Sequence, residues 1–207
     1  MPSPIKRAHF GDYVFNIYEN VYEPTEDSFL FAENLEVEKG EHVLDLGTGC
    51  GLLGILAAVE ASSVLAIDVN PYAVRCAKEN SILNNVRSKM VFMQADLLTA
   101  LNEKEKFDLI LFNAPYLPAT EGEADSWIGR AWAGGATGRQ VIDRFIPQVA
   151  GHLKALGRVL LMQSTLTGVE ETFGKFEGFH LKTSIKAECK LPFFETITLI
   201  EAKLNPV

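Results

Sequence analysis

The chain has 207 residues, 47% of them hydrophobic and 22% charged, with a formal net charge of −8, which suits one soluble domain with a sizeable core. No apolar run is long enough to cross a bilayer, and Met1 to Phe10 lacks the apolar core of an export signal. The acidic balance argues against a protein that holds nucleic acid by its phosphates.

Met1 to Asn16 has no clear period. Tyr22-Glu23-Pro24-Thr25-Glu26-Asp27-Ser28 predicts a helix start, with proline early and acids in the first turn, and Gly40 is its expected end. Val43-Leu44-Asp45-Leu46-Gly47-Thr48-Gly49-Cys50-Gly51 then reads as a buried strand and a tight glycine turn, opening the apolar helix Leu52–Val59. Glycines at alternate positions let the backbone take φ > 0 and lie against a ligand, and the helix start aims free N–H groups at the same spot. Val64–Ile67 is a strand ending in Asp68, Asn70-Pro71 starts a helix to about Leu83, and Met90–Gln94 is a strand ending in Asp96. Phe107–Phe112 is a strand ending in Asn113-Ala114-Pro115-Tyr116. A long loop, Leu117–Thr137, leads to a helix over Gly138–Leu153, a strand over Arg158–Met162 and a helix over Gly168–Phe176. Phe179–Lys186 and Phe193–Ala202 alternate like two antiparallel strands. Strands alternating with helices before a closing hairpin imply an α/β protein: a single domain over 1–207 in three layers, its sheet mostly parallel.

In such a sheet the ligand sits beyond the carboxyl ends of the strands. Four successive strands deliver Asp45, Asp68, Asp96 and Asn113 to one rim. A carboxylate after the second strand can accept from both hydroxyls of a ribose, and one after the third from an adenine amino group. Dinucleotide binding also uses an acid about twenty residues after the glycines. The acid two residues before Gly47, and the Asn-x-Pro-Tyr that ends the fourth strand, instead suit a class I S-adenosylmethionine methyltransferase. Cys50, Cys76 and Cys189 are expected as buried reduced thiols. His9, His42, His152 and His180 fit no metal pattern, so no metal site and a cytoplasmic setting are expected.

At these residues the chain resembles the HemK-type methyltransferases, specifically the short archaeal and eukaryotic branch that methylates translation release factors. Val21 to Leu30 resembles that branch's N-terminal signature, Asp45–Gly51 its motif I, Asp68-Val69-Asn70-Pro71 its ribose element and Asp96-Leu97 its adenine element. Ala131-Trp132-Ala133-Gly134-Gly135, Gly138-Arg139 and Asp143-Arg144-Phe145 are similar to the segment after its catalytic loop. The resemblance implies a Rossmann-like seven-stranded sandwich with an antiparallel C-terminal hairpin, whose segment 1–40 caps the cofactor site. It implies that Ser28, Asp45, Gly47, Gly49, Asp68, Asp96, Leu97 and Asn113 contact S-adenosylmethionine, and that Asn113, Ala114, Pro115 and Tyr116 hold the target nitrogen.

The implied target is the glutamine amide of a Gly-Gly-Gln motif in a translation release factor. Asn113 Oδ1 and the carbonyl of residue 114 would accept its two N–H groups, with Tyr116 packed on the planar amide. The family's loop is usually Asn-Pro-Pro-Tyr; Ala114 keeps the carbonyl but loses the fixed φ. Trp127 and Trp132 read equally as channel walls or as pins of a lid, and Arg139, Asp143 and Arg144 as helix-surface ion pairs. Alternatives are protein lysine methylation, methylation of the adenine exocyclic amine in nucleic acid, and a non-enzymatic cofactor-binding scaffold. The usual class I strand order places Met90–Gln94 at a sheet edge, where relatives take a small zinc-binding activator protein by strand addition.

Overall fold

The computed structural model describes residues 4–192 and 195–204. Where the sequence shows no period, β1 (Lys6–Phe10) and β2 (Tyr13–Ile17) form an antiparallel hairpin. The helix α1 (Glu26–Glu33) begins as expected but stops at Asn34, short of Gly40. Next come β3 (His42–Leu46), α2 (Leu52–Ala57), β4 (Ser63–Asp68), α3 (Pro71–Leu83), β5 (Met90–Gln94) and β6 (Phe107–Asn113). Asn70 caps α3, its side chain accepting from the Tyr72 N–H at 2.9 Å.

Two expectations fail in the second half. The stretch 117–137 is not all loop: it contains α4 (Trp127–Trp132), capped by Ser126 Oγ on the Gly129 N–H. The helix α5 (Gln140–Val149) ends before Leu153, because Leu153–Ser164 forms the long strand β7. Then follow α6 (Val169–Gly178), β8 (Leu181–Lys190) and β9 (Thr196–Leu204). Phe193, the expected start of the last strand, lies outside the described residues.

The seven-stranded sheet has the order β5-β4-β3-β6-β7-β9-β8. Its first five strands are parallel, and β9 runs antiparallel to both β7 and β8. This is the α/β architecture with a closing hairpin that the sequence implied. Strand order reverses between β3 and β6. Right-handed crossovers therefore put α2 and α3 on one face and α5 on the other. The crevice at that reversal opens beyond the ends of β3 and β6.

Two asparagines fasten the N-terminal hairpin to this frame. Asn80, fully buried on α3, accepts from the Asn16 N–H (2.9 Å) and donates to the Asn16 carbonyl (3.0 Å). Asn84, one turn on, does the same for Val14 at 3.0 and 2.8 Å. A side-chain amide carries one donor face and one acceptor face, like a peptide unit, so the pair acts as a neighbouring strand for β2. Asn80 Nδ2 also donates to the Cys50 carbonyl at 2.8 Å, tying hairpin and glycine turn to one residue. Asn80→Ala strands these backbone groups, so urea unfolding should show a loss of about 3 kcal/mol; a loss near zero would mean that the amide is not the fastening.

Candidate active site

A cavity of about 370 Å³ lies at the switch point. Each residue proposed from sequence lines it: Ser28, Asp45, Gly47, Gly49, Asp68, Asp96, Leu97, Asn113, Ala114, Pro115 and Tyr116. Trp127 and Trp132, from α4, line it too.

The glycine turn forms one wall. Gly47, Gly49 and Gly51 have φ of +68°, +57° and +91°, so all three occupy the left-handed region that a side chain disfavours. The turn is tethered to the end of β4: Thr48 N–H donates to the Ile67 carbonyl (3.0 Å) and Gly49 N–H to Asp68 Oδ2 (2.9 Å). Not every N–H here faces a ligand, as the sequence suggested, since Gly49 and Gly54 spend theirs on carboxylates.

Asp45 is buried at the base of this turn. Its Oδ2 accepts from Thr48 Oγ1 (2.5 Å) and the Gly54 N–H (3.0 Å). Burial pushes its carboxyl up to about 6, outweighing the pull of those two hydrogen bonds, and the nearby Asp68 pushes the same way. Asp68 accepts from Gly49 N–H on one oxygen and Asn70 N–H (2.9 Å) on the other, and burial raises its pKa as well. Asp96 is not free as pictured from sequence: its Oδ2 pairs with Arg144 at 2.5 Å across the rim. Arg144 does make an exposed ion pair from the surface of α5, but with Asp96 beyond β5 instead of with a neighbour on its own helix. Leu97, buried with φ +51°, turns the backbone into the wall beside it.

Asn113 and Tyr116 converge on a residue that sequence reasoning missed, Asp27. Asn113 Nδ2 donates to Asp27 Oδ2 and to Ser28 Oγ, both at 3.2 Å, and the Tyr116 hydroxyl donates to Asp27 Oδ2 at 3.2 Å. Burial, reinforced by the Asp27 charge, raises the Tyr116 phenol far above its ordinary range, so it stays protonated. At the other end of the same amide, Asn113 Oδ1 is buried and has no hydrogen-bond partner. The sequence signal for Asp27 was present, an acid beside Ser28, but its first-turn position explained it as a helix-dipole residue.

The loop after Asn113 is stapled by the segment 132–138. Leu117 N–H donates to the Trp132 carbonyl, Gly134 N–H to the Leu117 carbonyl and Ala119 N–H to the Gly135 carbonyl, at 3.0, 2.8 and 3.0 Å. At Gly138, φ is +72° and a Cβ would meet the Tyr116 carbonyl at 2.3 Å, so glycine is required. Arg139 does pair with Asp143 (2.9 Å), but its guanidinium is buried and donates to the Thr167 and Gly168 carbonyls, pinning this segment to the end of β7. Cys50 and Cys76 are buried and burial pushes the Cys50 thiol up to about 12, whereas Cys189 is only half-buried. Among the described residues no helix is long and apolar enough to cross a membrane.

A putative protein N5-glutamine methyltransferase of Methanocaldococcus jannaschii is 44% identical over 88% of this chain and 92% of its own length. The human methyltransferase HEMK2 is 36% identical, with 79% of each chain covered. The chain belongs to the HemK-type methyltransferases. A chain of the E. cuniculi Mtq2–Trm112 complex, described as responsible for methylation of the translation termination factor eRF1, superposes with a TM-score of 0.70 at 27% identity. That match covers 90% of this chain and 99% of the other. The family model for ribosomal protein L11 methyltransferase (PrmA) matches residues 23–114.

Within this HemK-type core, Gly54 lies under Asp45: a Cβ there would stand 2.6 Å from Asp45 Oδ2 and 3.1 Å from Met90 Cε. Gly54→Ala should cost about 1–3 kcal/mol by overpacking, read as a lowered melting temperature; an unchanged one would show that the turn can move aside.

Proposed function

We propose that this chain transfers a methyl group from S-adenosylmethionine to the side-chain amide nitrogen of a protein glutamine, that of the Gly-Gly-Gln motif of a translation release factor. The observation that carries it is the buried, unpartnered Oδ1 of Asn113, a residue that lines the cavity. A buried acceptor left unmade costs about 1–3 kcal/mol, so the site is built for a donor from outside the chain. A primary amide brings two. Bacterial proteins named release factor glutamine methyltransferase, one of them 36% identical over 53% of this chain, and the eRF1-directed structural relative support the substrate class.

The residues fit the cofactor. The cavity is of ordinary ligand size. Both Asp45 bonds fall on Oδ2, which leaves Oδ1 for the cofactor's ammonium end. Asp68 has spare lone pairs on both oxygens for ribose hydroxyls, and Asp96 with Leu97 forms the adenine side. Ser28 and the Gly47–Gly49 backbone complete the contact set. Residues 1–40 cap the site, with Tyr22, Pro24, Asp27 and Ser28 on its wall, and 1–207 acts as one methyltransferase domain. When bound, the cofactor supplies an electrophilic methyl on its sulfonium. Asn113 Oδ1 and the Ala114 carbonyl each accept one N–H of the target, aiming the nitrogen lone pair along the transfer line, and Tyr116 packs on the amide plane. The nitrogen that gains the methyl gives up one of its two protons to solvent as the carbon–sulfur bond breaks, and the rate gain comes from orientation and fixed dipoles, with no strong base required.

The partner reading rests on the sheet edges. β5 is an edge strand with the uncharged sequence Met-Val-Phe-Met-Gln and an exposed Val91. The opposite edge, β8, is guarded by Lys182, Lys186 and Lys190 and by a register shift between Ile185 and Ala187. We assign the β5 edge, which Arg87 flanks, to a small zinc-binding activator protein, the zinc being the partner's, and place the pair in the cytoplasm with its release factor.

Asn113→Ala should abolish glutamine methylation, by about 10²-fold or more, in mass spectrometry of the release factor incubated with the activator; full activity would remove the amide from the mechanism. Ala114→Pro should leave activity equal or higher, since Pro115 already biases residue 114 toward extended conformations and a fixed φ is worth about 0.4–1 kcal/mol; a large loss would contradict that view of the loop. Because the Asp45 carboxyl titrates near 6, it is neutral below that pH and ionised above it. Cofactor affinity should therefore rise between pH 5 and 7, and Asp45→Asn should flatten the profile; calorimetry showing the same rise in the variant would assign it elsewhere.

A further inference from the structure

We propose that Asp27 is a positioning residue that sets which end of the Asn113 amide faces the reacting nitrogen. The idea rests on the proposed function only for its catalytic consequence; the geometry stands by itself. The two ends of an asparagine amide are nearly the same shape, and packing cannot choose between them. Hydrogen bonding can. Here the inner end of Asn113 meets Asp27 Oδ2 and Ser28 Oγ. A carboxylate only accepts. The Ser28 hydroxyl already spends its hydrogen on Asp27 Oδ1 (3.1 Å), so it too offers Asn113 only a lone pair. The inner end must be NH₂, and the outer end is the unpartnered Oδ1 that the transfer uses.

Asp27 can serve as this anchor because its own orientation is locked. Oδ1 accepts from the Ser28 N–H (2.6 Å), Ser28 Oγ and Thr25 Oγ1 (2.8 Å), while Oδ2 accepts from Asn113 and Tyr116. It lies in the first turn of α1, beside the N–H groups that have no partner within the helix. The same carboxylate therefore holds the acceptor and the aromatic wall of the target site from a different part of the chain.

Asp27→Asn keeps the shape and removes this instruction. With its oxygen retained by the Ser28 N–H, the new NH₂ group faces the NH₂ of Asn113 and the hydroxyl of Tyr116. Turning Asn113 over relieves that clash between donors, but presents a donor to a substrate that needs an acceptor. The test uses the full chain with its activator, ¹⁵N-labelled at asparagine, and reads the Asn113 side-chain NH₂ resonance by assignment against Asn113→Ala. Asp27→Asn should shift that resonance and remove its exchange protection, while the other signals show an intact fold. In methylation assays it should lower kcat about 10²-fold, the scale of one lost oxyanion-hole donor, with KM for the release factor and cofactor affinity little changed. In an Asn113→Ala background the same substitution should cost less than about threefold, because residues that act through one another are not additive. An unmoved Asn113 resonance, or equal losses in both backgrounds, would overturn the positioning role. If the wild-type chain leaves the glutamine unmethylated while the resonance still responds to Asp27→Asn, the substrate reading fails and the positioning role stands.

Discussion

The site depends on how one carboxylate, Asp45, is kept inside the protein without a cation from the chain. A charge in a low-dielectric interior must be hydrogen-bonded or else neutralised. Thr48 and the Gly54 N–H supply the bonds, both on one oxygen, and both come from the turn and helix that follow the strand. The chain therefore wraps over Asp45 so closely that residue 54 has no room for a Cβ. The satisfaction is partial. Burial still holds its carboxyl above the ordinary range.

Elsewhere the molecule solves the same problem with neutral amides. Asn80 and Asn84 replace a missing strand for the hairpin β1–β2, and Asn80 reaches on to the glycine turn, so the N-terminal segment and the cofactor wall share one buried residue. The loop after Asn113 is held likewise by backbone bonds to 132–135 and by the close approach of Gly138 to Tyr116. Such contacts leave little to rearrange when a substrate arrives.

Charge and edges agree with this division of labour. The cavity carries carboxylates at three strand ends, suited to a cationic cofactor, while Arg144 binds the outermost, Asp96, at the rim. Of the two sheet edges, β8 is guarded by lysines and a bulge, while β5 has no charged side chain of its own, with Arg87, over the Phe92 ring and on the Met90 carbonyl, beside it.

The sequence by itself determined the order of strands and helices from Leu44 to Phe112 and the part of the cavity wall that the strand ends, the glycine turn and Ser28 supply. Those features are local: an apolar run, alternating glycines, an acid or amide at each strand end. It also carried the family, because motif I, the ribose and adenine elements and Asn-Ala-Pro-Tyr occur in the right order. Only tertiary structure decided the hairpin at 6–17, whose strands are stabilised by asparagines more than sixty residues away, and the helix at 127–132, whose flank is tied to Leu117. It also decided that Arg144 meets Asp96, that Arg139 is buried, and that Asp27 rather than a neighbour on β6 orients Asn113. Hydrogen bonds between 48 and 86 positions apart have no period to betray them. Such partners are chosen when the sheet brings strand ends together and each buried donor must find an acceptor.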